Sequence, residues 1–254
     1  ATTANSHFEI AMECLKLKKS VLIEKPFTVT AKDAQLLKEA AEENEVYLAE
    51  AMWTWFSPVA NKVKEWLDNG EIGTIQHAKF LYCIPSVIFA PRLWEANLCG
   101  GSLMDCGIYP ITYAYRLFGM PDKITCVGHL KRGVDTDEQI TFHYNNQVDV
   151  SIRCSMIKAN GGESMDIIGS EGNIRNFLTH AAWKVKMKKK HQIKKTVFKG
   201  AGGILNEFDC VAREILEGKK VSGKVPISVT IDCLKILDEC RMQMGLVYPF
   251  ENKG

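Results

Sequence analysis

A lysine, an aspartate and a tyrosine stand out among the 254 residues because their neighbours constrain where they sit. Lys25 follows the apolar run Val21-Leu22-Ile23 and precedes Pro26. The run reads as a short buried strand, so the lysine falls at a carboxyl end, where open α/β sheets bind ligands. The proline after it favours an extended backbone and so fixes the direction of the amine. Asp105 and Tyr109 lie four apart within Gly100-Gly101-Ser102-Leu103-Met104-Asp105-Cys106-Gly107-Ile108-Tyr109-Pro110, a spacing that places both on one helix face. A tyrosine beside a lysine is a usable acid/base pair, because the ammonium favours phenolate and lowers the tyrosine pKa. The plainer alternatives are a solvated loop lysine, a packed tyrosine with a satisfied hydroxyl, and an aspartate near a helix start.

The elements that must position these groups follow from periodicity. Phe8, Ala11, Met12 and Leu15 predict a helix over about 6–18. Thr30, with Asp33 three residues on, caps a second helix with the apolar stripe Ala34, Leu37 and Ala41, and Val46-Tyr47-Leu48-Ala49 reads as another strand. Helix–strand–helix–strand with tight links implies a parallel sheet covered by helices. The pattern changes after Trp53. Ser57-Pro58 opens a helix ending near Gly70, and strands are then expected at about 74–83, 123–130, 137–144, 147–154, 164–168, 182–187 and 192–198. Val148, Val150, Ile152 and Cys154 alternate with polar residues, as in a half-buried antiparallel strand, with Asn145-Asn146 as the hairpin turn before it. Two helices, about 203–218 and 228–245, close the chain. The expected fold class is an α/β remnant of a Rossmann domain, residues 1–56, followed by an α+β domain with a large, mainly antiparallel open-faced sheet, residues 57–254. No Gly-x-Gly-x-x-Gly turn opens a helix after a strand, so the front half of the dinucleotide fold is expected to be missing and dinucleotide binding by these residues alone to be weak.

Composition narrows the function classes. With 46% hydrophobic and 24% charged residues the chain can bury a sizeable core, and a net charge of +2 does not point to nucleic acid or an anionic membrane. The lysine-rich run Lys184-Val185-Lys186-Met187-Lys188-Lys189-Lys190 suits a strand with one wet face. No apolar run reaches bilayer length, and the first five residues do not resemble a signal peptide. The nine cysteines contain no Cys-x-x-Cys pair and read as reduced core residues of a cytoplasmic protein. Neither they nor the six histidines show metal-ligand spacing, so no metal is expected. Trp53, Trp55, Phe56 and Trp94 are candidates for an aromatic pocket wall, against plain core packing.

Seven segments, in order, resemble the glucose–fructose oxidoreductase/inositol dehydrogenase/rhizopine catabolism family. They are Ala1-Thr2-Thr3-Ala4-Asn5-Ser6-His7, Val21-Leu22-Ile23-Glu24-Lys25-Pro26-Phe27, Glu50-Ala51-Met52-Trp53-Thr54-Trp55-Phe56, Gly100 to Tyr109, Val134-Asp135-Thr136-Asp137, Ile168-Gly169-Ser170-Glu171-Gly172 and Gly245-Leu246-Val247-Tyr248-Pro249. The third segment, and a tyrosine rather than histidine at position 109, resemble the dihydrodiol dehydrogenase-like branch. The resemblance implies an oxidoreductase moving a hydride between NAD(P) and a carbinol carbon of a sugar or trans-diol, with NADP favoured. Tyr109 would be the general acid/base, Lys25 would lie near nicotinamide and substrate, and Asp105 would orient substrate or Lys25. Thr2, Thr3, His7, Glu24, Lys25, Pro26 and Trp53 would border the cofactor, and Trp94, Asp105 and Tyr109 the substrate. A homodimer built on the open sheet is expected. Two departures are visible: Thr3-Ala4 replaces a common Pro-Asn, and Trp55 stands where the branch often has arginine. The rival reading is a non-catalytic binding or scaffold protein descended from such enzymes.

Overall fold

The computed structural model describes residues 2–145, 148–159, 161–190, 192–198 and 203–251. Helix α1 (Ala4–Lys16) leads into strand β1 (Val21–Glu24), helix α2 (Ala31–Glu43) and strand β2 (Leu48–Ala51), and β1 and β2 pair in parallel. Thr30 caps α2 as its spacing predicts, its side chain accepting from the Asp33 amide at 3.1 Å. α1 begins two residues earlier than its apolar periodicity suggests, within the ordinary fraying of helix ends.

The 3₁₀ turn Trp53–Phe56 and helix α3 (Pro58–Asp68) carry the chain to a second sheet. Its strands are β3 (Ile75–Cys83), β4 (Lys123–Lys131), β5 (Val134–His143), β6 (Val150–Ser155), β7 (Gly162–Gly169), β8 (Gly172–Phe177), β9 (Lys184–Lys189) and β10 (Gln192–Val197). Their order is β10-β9-β8-β7-β3-β6-β5-β4, and β3–β6 is the one parallel pair. The expected mainly antiparallel sheet is therefore present, with β8 as an addition. Asn173 and Asn176 are poor strand formers that hide β8 from a propensity reading, although Ile174 and Asn176 are buried on one face. Asn146 of the expected hairpin turn lies outside the described residues.

The strand register explains why one face is covered. Cys126, Ile140, Ile152, Phe80, Met165 and Asn176 follow one another across six strands as a buried row. The adjacent row, Thr125, Thr141, Ser151, Lys79, Asp166 and Arg175, is polar and points the other way. Helix α4 (Ile108–Phe118) lies against the buried row, where Phe80 meets Tyr113 and Phe118 ring to ring.

The last two helices, α5 (Gly203–Leu216) and α6 (Ile227–Met244), return to the parallel unit. Tyr47 donates to Glu214 at 2.7 Å, the Ala31 amide to Asp238 at 2.8 Å, and Thr230 to Glu50 at 2.9 Å. The packing thus ties the last two helices to α2 and β2.

Candidate active site

Lys25 sits just past the carboxyl end of β1, in a turn whose Lys25–Pro26 peptide is cis. Glu50 on β2 holds this turn from beneath, accepting from the Phe27 amide at 3.3 Å. Burial pushes the Glu50 carboxyl up to about 7, despite the hydrogen bonds from Thr230 and Phe27. His7 on α1 holds it from the side, with Nδ1 3.0 Å from the Pro26 carbonyl and Nε2 3.2 Å from the Thr2 carbonyl.

Asp105 and Tyr109 arrive from the other sheet's covering helix. Residues Leu103–Gly107 form a π-helical turn rather than the plain α-helix their spacing suggests, and α4 resumes at Ile108. Pro110, in the first turn of α4, has no N–H, so one carbonyl of the preceding turn lacks a main-chain donor. Lys25 Nζ donates to the Asp105 backbone oxygen at 2.9 Å and to Asp105 Oδ1 at 3.1 Å. The same Oδ1 accepts from Arg92 at 3.0 Å. Gly101 makes the approach to this turn possible. It has φ +118°, and a Cβ there would lie 2.1 Å from Asp135 Oδ1, so any side chain would collide with β5.

The Lys25 ammonium lies 4.8 Å from the centre of the Tyr109 ring. Trp53 Nε1 donates to the Tyr109 hydroxyl at 3.2 Å, and Tyr82 stacks on its ring at 5.8 Å. Burial alone would depress the Lys25 ammonium, but the Tyr109 and Asp105 charges outweigh it and hold the group above its usual value. For Asp105, burial pulls upward, and Lys25 and Arg92 outweigh it to keep the carboxyl below its ordinary range. Tyr109 departs from expectation. Burial raises it, and the opposing Lys25 charge and Trp53 bond moderate the rise without reversing it. The ammonium is legible in the sequence, whereas desolvation depends on what the fold lays over the ring.

Next to this cluster is a cleft of about 230 Å³ lined by Thr2, Thr3, Ala4, Glu24, Lys25, Pro26, Arg92 and Asp105, among others. Thr3 is the N-cap of α1, makes no side-chain cap bond, and lines this cleft together with Ala4 at the start of the helix. Backbone donors, a carboxylate and an ammonium around one cleft fit the nicotinamide and ribose end of a dinucleotide. Among the described residues no group of three or more His, Cys, Asp or Glu side chains is arranged to hold a metal.

Thr2, Thr3, Glu24, Lys25, Pro26, Asp105 and Tyr109 are thus brought to one place. His7 stands behind the turn rather than in the cleft, and Trp53 lies on the Tyr109 side rather than among the cleft residues. Trp94 is not brought to Tyr109. Its ring faces Lys131 and Arg132 and packs with Leu93, Val134 and Met156, and the nearby Arg92 reaches Asp105 instead. Trp55, at the second departure, lies under the Arg116 guanidinium at 5.0 Å. Arg92, Tyr82, Glu163 and His180 escaped the sequence reading. Arg92 sits in a run of 3₁₀ turns without periodicity, and His180 in an irregular turn.

Fold and site together describe the nicotinamide-proximal part of a dinucleotide oxidoreductase joined to an open-sheet partner. The chain belongs to the GFO/IDH/MocA oxidoreductase family: the model for the oxidoreductase family's NAD-binding Rossmann fold matches residues 1–52, and that for the GFO/IDH/MocA C-terminal domain matches residues 60–175. Similar curated proteins include D-xylose 1-dehydrogenase (NADP(+)) of Hypocrea jecorina, 29% identical over 98% of this chain and 73% of that protein. Trans-1,2-dihydrobenzene-1,2-diol dehydrogenase of Homo sapiens is 28% identical over 97% of this chain and 77% of that protein. Among solved structures, KijD10, a 3-ketoreductase from Actinomadura kijaniata in complex with NADP and TDP-benzene, superposes with a TM-score of 0.85. It is 21% identical, with 95% of this chain and 76% of that one covered, and so shows the shared fold.

Proposed function

We propose that the protein interconverts an alcohol and a carbonyl on a sugar or trans-diol with NAD(P), NADP being favoured, and that Tyr109 carries the proton. The observation that carries this reading is the single cluster of Lys25, Asp105 and Tyr109 beside the cleft at the start of α1. The xylose and dihydrodiol dehydrogenases it resembles support the substrate class and NADP. A bound nicotinamide supplies the hydride acceptor or donor, and the chain supplies the rest. In oxidation, Tyr109 Oη takes the hydroxyl proton while the carbinol hydrogen departs as hydride. In reduction it returns the proton to the carbonyl oxygen. Lys25 stabilises the phenolate and holds the oxygen of the substrate, and Asp105 keeps Lys25 in place. Residues 1–56 serve the cofactor and 57–254 the substrate, with α5 and α6 bracing the two.

The polar, uncovered row of the large sheet supports a homodimer joined through that face, with a wet interface. Among the described residues every cysteine is unpaired, which supports a reducing, cytoplasmic setting, and no helix is long and apolar enough to cross a membrane. The test is turnover of a panel of aldoses and trans-diols with NADP and NAD by the protein as its gene encodes it. Binding without turnover across the panel would favour the scaffold reading.

A further inference from the structure

A second titratable pair stands against the Tyr109 ring and has no part in the proton chemistry above. His180 lies in the 3₁₀ turn Thr179–Ala181, after Leu178, whose backbone is left-handed at φ 53°. Its ring is 5.7 Å from Tyr109, 5.5 Å from Tyr82 and 5.5 Å from Trp53, centre to centre. The turn is held by Glu163 on β7, whose side chain is fully buried. One Glu163 oxygen accepts from the Thr179 hydroxyl at 2.6 Å and from the His180 amide, and the other meets His180 Nδ1.

Opposite a carboxylate, Nδ1 must carry the proton and donate. In the neutral ring that leaves Nε2 as an acceptor. Among the described residues Nε2 has no hydrogen-bond partner, and a quarter of the His180 side chain is open to solvent. A buried carboxylate with three donors therefore sets both the place and the tautomer of an imidazole whose far edge is free. The imidazole itself packs beside Tyr109, the ring that carries the reacting proton in the reading above.

We propose that His180 Nε2 accepts a hydrogen bond from a second hydroxyl of the substrate, adjacent to the carbinol that reacts, and that Glu163 is the positioning residue for it. This rests on the dehydrogenase reading and deepens it: it assigns the atom that recognises the hydroxyl beside the reacting one. A site built to bond a hydroxyl discriminates strongly against the analogue lacking it, because the site's polar atom is then left unpaired. The three aromatic rings supply the flat apolar surface against which a carbon ring lies.

The experiment compares a cyclic trans-vicinal diol with the matching cyclic monoalcohol in the unaltered protein, His180→Asn and His180→Gln. Asparagine keeps a donor for Glu163 but removes the group at the Nε2 position, whereas glutamine places an amide oxygen near it. His180→Asn should lower kcat/KM for the diol roughly ten- to a hundredfold more than for the monoalcohol, mainly through KM. His180→Gln should recover part of the diol preference. A purely structural role would lower both substrates alike in both variants, and that result overturns the proposal. So does an unaltered diol preference in His180→Asn, which leaves the dehydrogenase reading standing. An unaltered protein that oxidises neither compound overturns the proposal, and turnover of aldoses in the same assay would still leave the dehydrogenase reading standing.

Discussion

Trp53 Nε1 and the Tyr109 hydroxyl, 3.2 Å apart, join the 3₁₀ turn after β2 to the start of α4. The indole can only donate, so Tyr109 accepts there and its own proton stays free to move. The bond favours the phenolate. Trp53→Phe keeps an aromatic ring and deletes the donor. The alkaline midpoint of the oxidation rate should move to higher pH, with turnover reduced less than by loss of Tyr109 itself. An unmoved pH profile would separate the indole from the proton chemistry.

Tyr109→Phe removes the proton carrier and retains most of the ring's packing against Tyr82 and His180. Turnover at saturating alcohol and cofactor should fall by about 10²–10⁴-fold, with KM changed little. Near-normal turnover would transfer the proton role to Lys25.

Lys25→Met tests the electrostatics. Burial raises Tyr109 and the ammonium opposes that rise, so removing the ammonium lets the phenol climb further. Oxidation uses the phenolate, and its basic limb should shift upward in pH. Reduction uses the neutral phenol, and its high-pH loss should move the same way. A downward shift would contradict the arrangement.

Asp105→Asn should be milder than Tyr109→Phe. Lys25 retains the Asp105 backbone oxygen at 2.9 Å when the carboxylate is gone. Asp105 has no hydrogen bond to Tyr109 among the described contacts, so the loss should be one of Lys25 placement rather than of proton transfer. Equal losses in the two variants would show that Asp105 shares the proton work.

Glu50 links stability to pH. Its carboxyl is raised to about 7 in the folded protein, so the native state holds this proton more tightly than the unfolded chain does. The stabilisation is full below about pH 4.5 and is lost as pH rises through about 7, a change on the order of 3 kcal/mol for this group. Glu50→Gln mimics the protonated form and should flatten that part of the curve, raising stability at pH 8 relative to the parent. Urea unfolding at pH 5 and pH 8 reads both effects.

The parallel unit was legible because its signals are local: an apolar stripe, a capping threonine and a proline after Lys25. Lys25, Asp105 and Tyr109 could be named for the same reason, each standing within a distinctive short segment. The sign of the Tyr109 shift could not, because desolvation depends on what other elements cover the ring. β8 was hidden by its asparagines. His180 and Glu163 are seventeen residues apart across a hairpin, and nothing in either's neighbours announces the other. Trp94 shows the reverse: its segment suggested the site, and its ring packs under Lys131 and Arg132.

The π-helical turn at Leu103–Gly107 bears on which positions are free to drift. Half of the tether on Lys25 is a main-chain oxygen, which every amino acid supplies. Related chains can therefore exchange the side chain at position 105 and keep the amine roughly where it stands. What the carboxylate adds is charge and a second bond, and Arg92 shares that oxygen. Drift at position 105 would therefore show in the electrostatics of the ammonium before it showed in the reach of the amine.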